Sequence, residues 1–181
     1  MPLCHLARAK RGTLLRDVAA LGYCATKKQY DWGLHGHVVI SRTGVMTGFA
    51  ATAAHVDERV ALFDVLDNIQ GLLIGDKGAV SQTLHDDLAN SHSMNLPTPL
   101  RVNMTETRDP RVVRQLVSTR RLVETVMGQL TERFHLQKIW ARDLRHLTSR
   151  VGRKILAHTM GIFLHTMLGR EPLQFDGIIA D

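Results

Sequence analysis

Apolar residues recur at helical spacing along two long segments in the second half of the chain. The first segment covers residues 109–134, with Pro110 in the opening turn, where a helix accepts proline. The second covers residues 143–168 and is followed by Gly169, a residue type that commonly ends helices. We predict a helix over each segment. The predicted core positions are Val113, Leu116, Val123, Met127, Leu130 and Phe134 in the first helix, and Leu144, Leu147, Val151, Ile155, Ile162 and Thr166 in the second.

The first third of the chain shows a shorter, strand-like pattern. Residues 34–41 and 45–51 predict a β-hairpin with Arg42-Thr43-Gly44 at its turn. Residues 1–31 show little periodicity, and we predict a long loop there with at most one helical turn. After the hairpin, Asp57 can cap a short helix that buries one apolar face. That face consists of Val56, Val60, Phe63, Leu66 and Ile69.

A short apolar run lies in the middle of the chain, within Gly71-Leu72-Leu73-Ile74-Gly75-Asp76-Lys77-Gly78. It is too short for a typical helix and predicts a strand buried on both faces. Asp76 would then end an interior strand, where open α/β sheets bind ligands. An ordinary turn residue or helix cap is the alternative. With a further helix over 81–90 and a strand over 100–104, the predicted fold class is α/β, a mixed sheet flanked by helices.

The composition is that of one globular domain of 181 residues without a membrane span. Hydrophobic residues make up 44% of the chain, and no apolar run approaches the roughly 20 residues that a span needs. Two cysteines do not make a disulfide framework, which fits a reducing cytoplasm. Cys4, His5 and Cys24 lack the spacing of a zinc site. His35 and His37 share a strand face but have no third ligand nearby, so we interpret them as structural.

The positive charge is concentrated in one segment. The whole chain has a formal charge of +6, with 23 Lys and Arg against 17 Asp and Glu. Residues 101–160 contain 13 of these bases and 5 of these acids, a local excess of +8. Such an excess is typical of a surface that faces a polyanion. A solvated helix face rich in arginine is the alternative explanation.

Two carboxylates are the candidates for metal chemistry. Asp76 follows the predicted middle strand, and Glu124 lies within the first long helix. Carboxylate oxygens suit Mg²⁺, and two such ions about 3.5–4 Å apart can activate a nucleophile and stabilise the leaving oxygen of a phosphodiester. Arg120, one helical turn before Glu124, could hold a phosphate or orient the carboxylate.

Six stretches together resemble the catalytic domain of bacterial insertion-sequence transposases of the DDE class. The resemblance covers essentially the whole chain, and GDKG followed by RxxxET is its most specific part. The stretches are CHLARAKR at 4–11, GYCATKKQYDWGLHGHVVIS at 22–41, HVDER at 55–59, GLLIGDKG at 71–78, RRLVETVMGQLTERF at 120–134 and ARDLRHLTSRVGRKILAHTMGIFLH at 141–165.

The resemblance implies an RNase H-like fold and two-metal cleavage and joining of DNA at transposon ends, with Mg²⁺ or Mn²⁺ as cofactor. On this basis Asp76 matches the second acidic residue of the catalytic triad and Glu124 the third, and both are expected to bind metal. The expected partners are double-stranded DNA at transposon ends and, in the full-length protein, a second subunit of a homodimer. The expected DNA-contacting residues are Lys77, Arg120, Arg121, Arg150, Arg153 and Lys154.

The chain also departs from the pattern that it resembles. The first aspartate of the family ends the first sheet strand, just before a segment like Pro2-Leu3-Cys4, and this chain begins after that point. The frequent Tyr and Lys of the signature are Val117 and Thr131 here, and the aromatic residue after GDKG is Ala79. We therefore expect an N-terminally truncated, inactive transposase that lacks its first strand and upstream DNA-binding region. The alternatives are a non-catalytic DNA-binding or interaction remnant that uses helices 109–168, and a stand-alone metal-dependent nuclease.

Overall fold

A computed structural model describes residues 2–6, 15–24, 28–66, 69, 72–75, 86–90, 96–98, 100, 105 and 107–175. Antiparallel strands occupy the first third of these residues and two long helices the last third. The strands are β1 (Pro2–Leu6), β2 (Ala20–Cys24), β3 (Gln29–Ile40) and β4 (Met46–Ala53). The helices are α1 (Glu58–Phe63), α2 (residues 86–90), α3 (Pro110–Glu132) and α4 (Leu144–Met167).

Strand β3 is the centre of the described sheet, and every pairing in that sheet is antiparallel. One edge of β3 pairs with β1, with Leu34 opposite Leu3. The other edge pairs first with β2 and then with β4, since Trp32 lies opposite Leu21 and Leu34 opposite Ala53. The prediction of a long loop over residues 1–31 is therefore wrong. β1 and β2 are five residues each, too short to show a clear alternation, and they gain their hydrogen bonds from β3.

The predicted hairpin is confirmed, and glycine explains its turn. The Gly44 amide donates to the Ser41 carbonyl at 3.0 Å, and the Ser41 amide donates to the Val45 carbonyl at 2.8 Å. Gly44 has φ = +86°, a left-handed conformation that side chains with a Cβ rarely adopt. The turn therefore requires glycine at this position.

The middle apolar run does not form the predicted strand within the described residues. Residues 72–75 have no regular strand structure, and Leu72 is 59% exposed, so burial on both faces is wrong for this segment. Leu73 instead packs against a small cluster formed by Leu66, Leu88 and Leu96. This cluster lies apart from the main core and packs the apolar run against α1 and α2, and Leu72 keeps only a single β-bridge rather than a strand. The predicted strand over 100–104 lies outside the described residues except for Leu100, and the predicted helix over 81–90 is helical where it is described, at 86–90.

The predicted long helices are confirmed, and aspartate caps each N-terminus. Asp109 accepts from the Arg111 amide at 2.6 Å, and Asp143 accepts from the His146 amide at 2.9 Å. The predicted cap of α1 is also confirmed, because Asp57 accepts from the Arg59 amide at 2.8 Å. Each bond satisfies an amide that the helix leaves without a partner.

The residues that these helices bury differ in part from the predicted core positions. Val60 of α1 is 62% exposed, and α1 buries Ala61 instead. In α3, Val123 is exposed and Val126 is fully buried. In α4, Leu144 and Thr166 are exposed. Apolar positions lie close together around a helix of 3.6 residues per turn, and the packing partners decide which of them faces inward.

The main core joins the sheet to the two long helices. Leu3 and Leu34 of the sheet pack with Val126 and Leu130 of α3 and with Val151 of α4, among others. The connection between the helices contributes Leu136, Ile139 and Ala141 to the same cluster. None of the helices among the described residues is long and apolar enough to cross a membrane.

A buried polar cluster lies beside this core, around Phe175. His158 and His165 of α4 are fully buried, and both rings contact Phe175 edge-on, with centroid distances of 5.2 and 5.8 Å. The Gln129 amide nitrogen donates to the Leu173 carbonyl at 2.5 Å, so its oxygen Oε1 is the atom 3.0 Å from His158 Nε2. That oxygen can only accept, and His158 Nε2 therefore carries the ring proton.

Candidate functional site

Glu124 lies on the exposed surface of α3 and forms an ion pair with Arg120. Arg120 Nε donates to Glu124 Oε1 at 3.0 Å, across one helical turn. Both side chains are exposed, and the base precedes the acid, which is the less favourable order along a helix. Pairs of this kind contribute at most about 0.5 kcal/mol. The ion pair therefore restrains the Glu124 carboxylate only weakly, and this carboxylate is accessible to a metal ion or a substrate.

Asp76 and Lys77 lie outside the described residues, but the residue before Asp76 is described. The Gly75 amide donates to the Pro97 carbonyl at 3.2 Å, which ties this position to the neighbouring loop. Gly75 lines a cavity of about 810 Å³ together with Val123, the residue before Glu124. The immediate neighbours of the two predicted metal ligands therefore border the same cavity.

The cavity lies between the end of β3, helix α1, residues 72–75 and the middle of α3. Its lining includes polar groups that the sequence pattern did not single out as functional. Glu58 and Arg59 belong to the HVDER stretch, which contributed to the family resemblance but to which the sequence assigned no functional role. The polar lining residues include His37, Arg42, Glu58, Arg59, Ser118 and Thr119. Their common position was not predictable, because it depends on how α1 and α3 pack around the end of β3.

His35 and His37 are part-buried on β3, as their structural interpretation predicts. His37 Nε2 lies 2.9 Å from the Thr52 hydroxyl on β4. Burial lowers the pKa of both rings, and the positive N-terminus adds to the effect. Within the described part of the chain, no three histidine, cysteine or acidic side chains form a group that could hold a metal ion.

The predicted DNA-contacting residues differ in how far their side chains are already engaged. Arg121 is exposed on α3, and Arg153 is exposed on α4 with one nitrogen 3.0 Å from the Ser149 hydroxyl. Arg150 donates to the Trp140 carbonyl, and Lys154 donates to the Phe134 carbonyl just beyond α3. Burial lowers the pKa of Lys154. Lys154 thus joins the two long helices, which is a structural role that the charge pattern did not reveal.

The described residues therefore form an α/β domain in which a long helix presents a carboxylate beside an open cavity. The family described as Transposase DDE domain matches the chain over residues 1–144. This range includes β1 to β4, α1 to α3, and both Asp76 and Glu124, and the chain belongs to this family. Membership implies DNA transposition and DNA binding, and DDE transposases generally use Mg²⁺. No curated protein and no solved structure matches the chain.

Proposed function

We propose that this chain forms the catalytic core of a DDE transposase with an RNase H-like fold, which cleaves transposon-end DNA and joins it to a target. Asp76 and Glu124 serve as ligands for Mg²⁺ or Mn²⁺. The observation that carries this proposal is that Gly75 and Val123, which precede these two acids, line one cavity within the matched range. Their shared position supports convergence of the two carboxylates at the cavity mouth.

The side chains around Glu124 fit a phosphoryl-transfer site. Its carboxylate is a hard oxygen donor that only a weak ion pair holds, which suits Mg²⁺. When bound, the ion would supply charge neutralisation at the phosphate. Arg120 positions the Glu124 carboxylate in the free protein, and its guanidinium can bind a phosphate oxygen when DNA is present. Arg121, adjacent and exposed, extends the same basic surface.

The basic surface continues onto α4, where it positions DNA without selecting sequence. Arg153 is exposed near the middle of α4 and can reach a phosphate by giving up its hydrogen bond to Ser149. Arg150 and Lys154 contribute positive potential while they remain bonded to backbone carbonyls. Lys77 completes the proposed set beside Asp76. Phosphate contacts of this type give affinity and salt dependence rather than sequence recognition.

A non-catalytic DNA-binding role is the second candidate for this chain by itself. Two carboxylates offer fewer ligands than a two-metal site uses, whereas the exposed Arg121 and Arg153 can bind phosphates without a metal. We therefore propose that the isolated 181-residue chain turns over little, while its basic helices still bind DNA.

The discriminating experiment compares metal binding and strand cleavage in matched variants. Binding of Mn²⁺ to the chain would be measured by electron paramagnetic resonance, and nicking of supercoiled plasmid would be measured with Mg²⁺. The variants Asp76→Asn and Glu124→Gln each remove one ligand charge. Glu132→Gln removes an exposed acid two turns further along α3 and serves as the control.

We expect Asp76→Asn and Glu124→Gln each to weaken Mn²⁺ binding at least tenfold and to abolish any nicking, because both carboxylates bind the same ion. Glu132→Gln should leave both unchanged. Equal Mn²⁺ affinity in all three variants would contradict the metal assignment. Metal binding without nicking in the parent chain, with DNA binding retained, would favour the non-catalytic role.

A further inference from the structure

Residues 170–175 fold back along the body of the domain after α4 ends, and we call these six residues the strap. Gly169, with φ = +65°, reverses the chain at the end of the helix. The Arg170 amide then donates to the His165 carbonyl at 2.9 Å. The family match ends at residue 144, so membership assigns no role to the strap.

Phe175 anchors the strap to both long helices. It is 1% exposed, and it is the one fully buried side chain among residues 170–175. Its ring lies edge-on to three others, with centroid distances of 6.0 Å to Phe134 just beyond α3, and 5.2 and 5.8 Å to His158 and His165 of α4. The docked position of the strap therefore depends on one aromatic side chain.

Leu173 connects the strap to the β3–β4 turn and to α3. A Cβ on Gly44 would lie 2.8 Å from Leu173 Cδ2, so the leucine side chain lies directly on the turn. The Leu173 carbonyl accepts a hydrogen bond from the Gln129 amide of α3. The residues of the hairpin end that line the cavity are Ile40, Ser41, Arg42 and Thr47. The strap thus links the last turns of α4 to the rim of the cavity.

The pocket that holds Phe175 buries polar atoms without hydrogen bonds. Neither ring nitrogen of His165 has a partner among the described residues, and His158 Nδ1 has none there either. Buried polar atoms normally have partners, and a missing partner costs free energy that contact with water would recover. Release of Phe175 would let water reach these nitrogens, which offsets part of the loss of apolar burial. The docked and released strap therefore differ less in free energy than burial of a phenylalanine alone would give.

Release of the strap can leave the rest of the fold in place. The described sheet is built from β1 to β4 and does not include the strap. The first half of α4 packs into the main core through Leu147 and Val151, well before the residues that contact Phe175. A segment with few buried side chains opens at lower cost than the whole domain. The strap meets this condition, because its burial rests on Phe175 and the half-buried Pro172 and Leu173.

We propose that the strap is a conformational device that controls the rim of the cavity. When docked, it holds the β3–β4 turn against the long helices through Leu173 and Phe175. When released, it frees the cavity-lining end of the hairpin, so the cavity has a closed and an open state. The device acts on the cavity whatever binds there, and it does not depend on the proposed chemistry at Asp76 and Glu124.

The test reads each of the two strap contacts after the other one has been weakened. Diethyl pyrocarbonate acylates accessible imidazoles, so the acylation rate of His165 reports on the pocket of Phe175, with the exposed His135 as internal reference. Hydrogen exchange of residues 41–45 reports on the turn beneath Leu173. Both are measured on the full chain at pH 7 by mass spectrometry. The variants are Leu173→Ala and Phe175→Ala.

We expect Leu173→Ala to raise the acylation rate of His165 at least about fivefold, and Phe175→Ala to raise the exchange rate of the turn by a similar factor, because the strap opens as one unit. Exchange of the paired residues in β2 and β3 should stay unchanged in both variants. Leu168→Ala shortens a side chain that is 60% exposed just before the strap, and it should change neither rate.

Variants that affect only their own contact would overturn the proposal, since the strap would then not couple α4 to the turn. Equal acceleration in β2 and β3 would overturn it as well, because the whole domain would be opening. Circular dichroism identifies a variant that fails to fold. Phe175→Leu, which keeps a smaller apolar anchor, then replaces Phe175→Ala and is read against the same two outcomes.

Discussion

Acidification should destabilise the fold through His158. This ring is fully buried, its Nε2 donates to Gln129, and its Nδ1 has no partner among the described residues. The neutral ring satisfies the one bond available to it. Protonation would place a second N–H and a positive charge where the contacting groups are the rings of Phe134 and Phe175. The folded protein therefore opposes protonation, and the unfolded chain does not.

The magnitude follows from the pKa. Burial lowers the pKa of His158 from 6.5 to about 4. Between these two values the unfolded chain binds the proton and the folded chain does not, so the free energy of unfolding falls as the pH falls. The slope approaches about 1.4 kcal/mol per pH unit. The expected loss is about 2 kcal/mol between pH 6.5 and 5, a large part of the stability of an ordinary domain.

Urea denaturation of the parent chain and of His158→Gln at pH 7, 6 and 5 measures this effect. The glutamine amide can still donate toward Gln129 but cannot bind a proton. His35 and His37 also have lowered pKa values and contribute in the same direction. Their contribution is common to both proteins, so the difference between the two pH profiles isolates His158. His55→Gln, at an exposed position, controls for the loss of one titrating side chain.

We expect the parent and His55→Gln to lose stability steeply below pH 6.5, and His158→Gln to lose it by about 2 kcal/mol less at pH 5. Its stability at pH 7 can be lower than that of the parent without affecting this comparison. Parallel pH profiles for the parent and His158→Gln would refute the reasoning, since His158 would then accept a proton in the folded state at little cost.

Two further predictions concern glycines and DNA. A Cβ on Gly161 would lie 2.9 Å from Phe175 Cε1, whereas a Cβ on Gly152 would meet nothing within 4 Å. In thermal unfolding, Gly161→Ala should therefore destabilise the protein by about 1–2 kcal/mol through overpacking. Gly152→Ala should stabilise it by up to about 1 kcal/mol, because alanine has the higher helix propensity. A change of the same sign in both variants would contradict the packing of Phe175. Fluorescence anisotropy on a duplex oligonucleotide should show DNA binding that weakens with salt, and Arg121→Gln should reduce the slope of log affinity against log salt by about 0.9. Arg16→Gln, at an exposed arginine outside both the cavity lining and the basic segment 101–160, is the matched control and should leave that slope unchanged. Binding that does not respond to salt would remove the nucleic-acid assignment.

The sequence by itself determined the elements whose signals are local. The starts of three helices could be predicted because a capping residue needs only its side chain and the amides of the next few residues. The capping residues are Asp57, Asp109 and Asp143. Gly44 indicated a turn and Gly169 a helix end. Both residues have a positive φ, a conformation that glycine adopts readily whatever its tertiary surroundings. The family membership also followed from linear motifs, since GDKG and RxxxET preserve their order along the chain.

Only the tertiary structure decided which apolar positions are buried and which polar groups meet. The short strands β1 and β2 exist because β3 offers both of its edges, and no local pattern in residues 1–31 indicates this. From the sequence, Lys154 could be interpreted only as part of the basic surface, but the packing of the helices lets it donate a hydrogen bond to the Phe134 carbonyl. His158 and Phe163 lie on the C-terminal half of α4, where apolar residues occur on all sides, yet His158 is buried and Phe163 is 53% exposed. Burial depends on what packs against each side, and a helical period cannot distinguish a face that meets the core from one left in solvent.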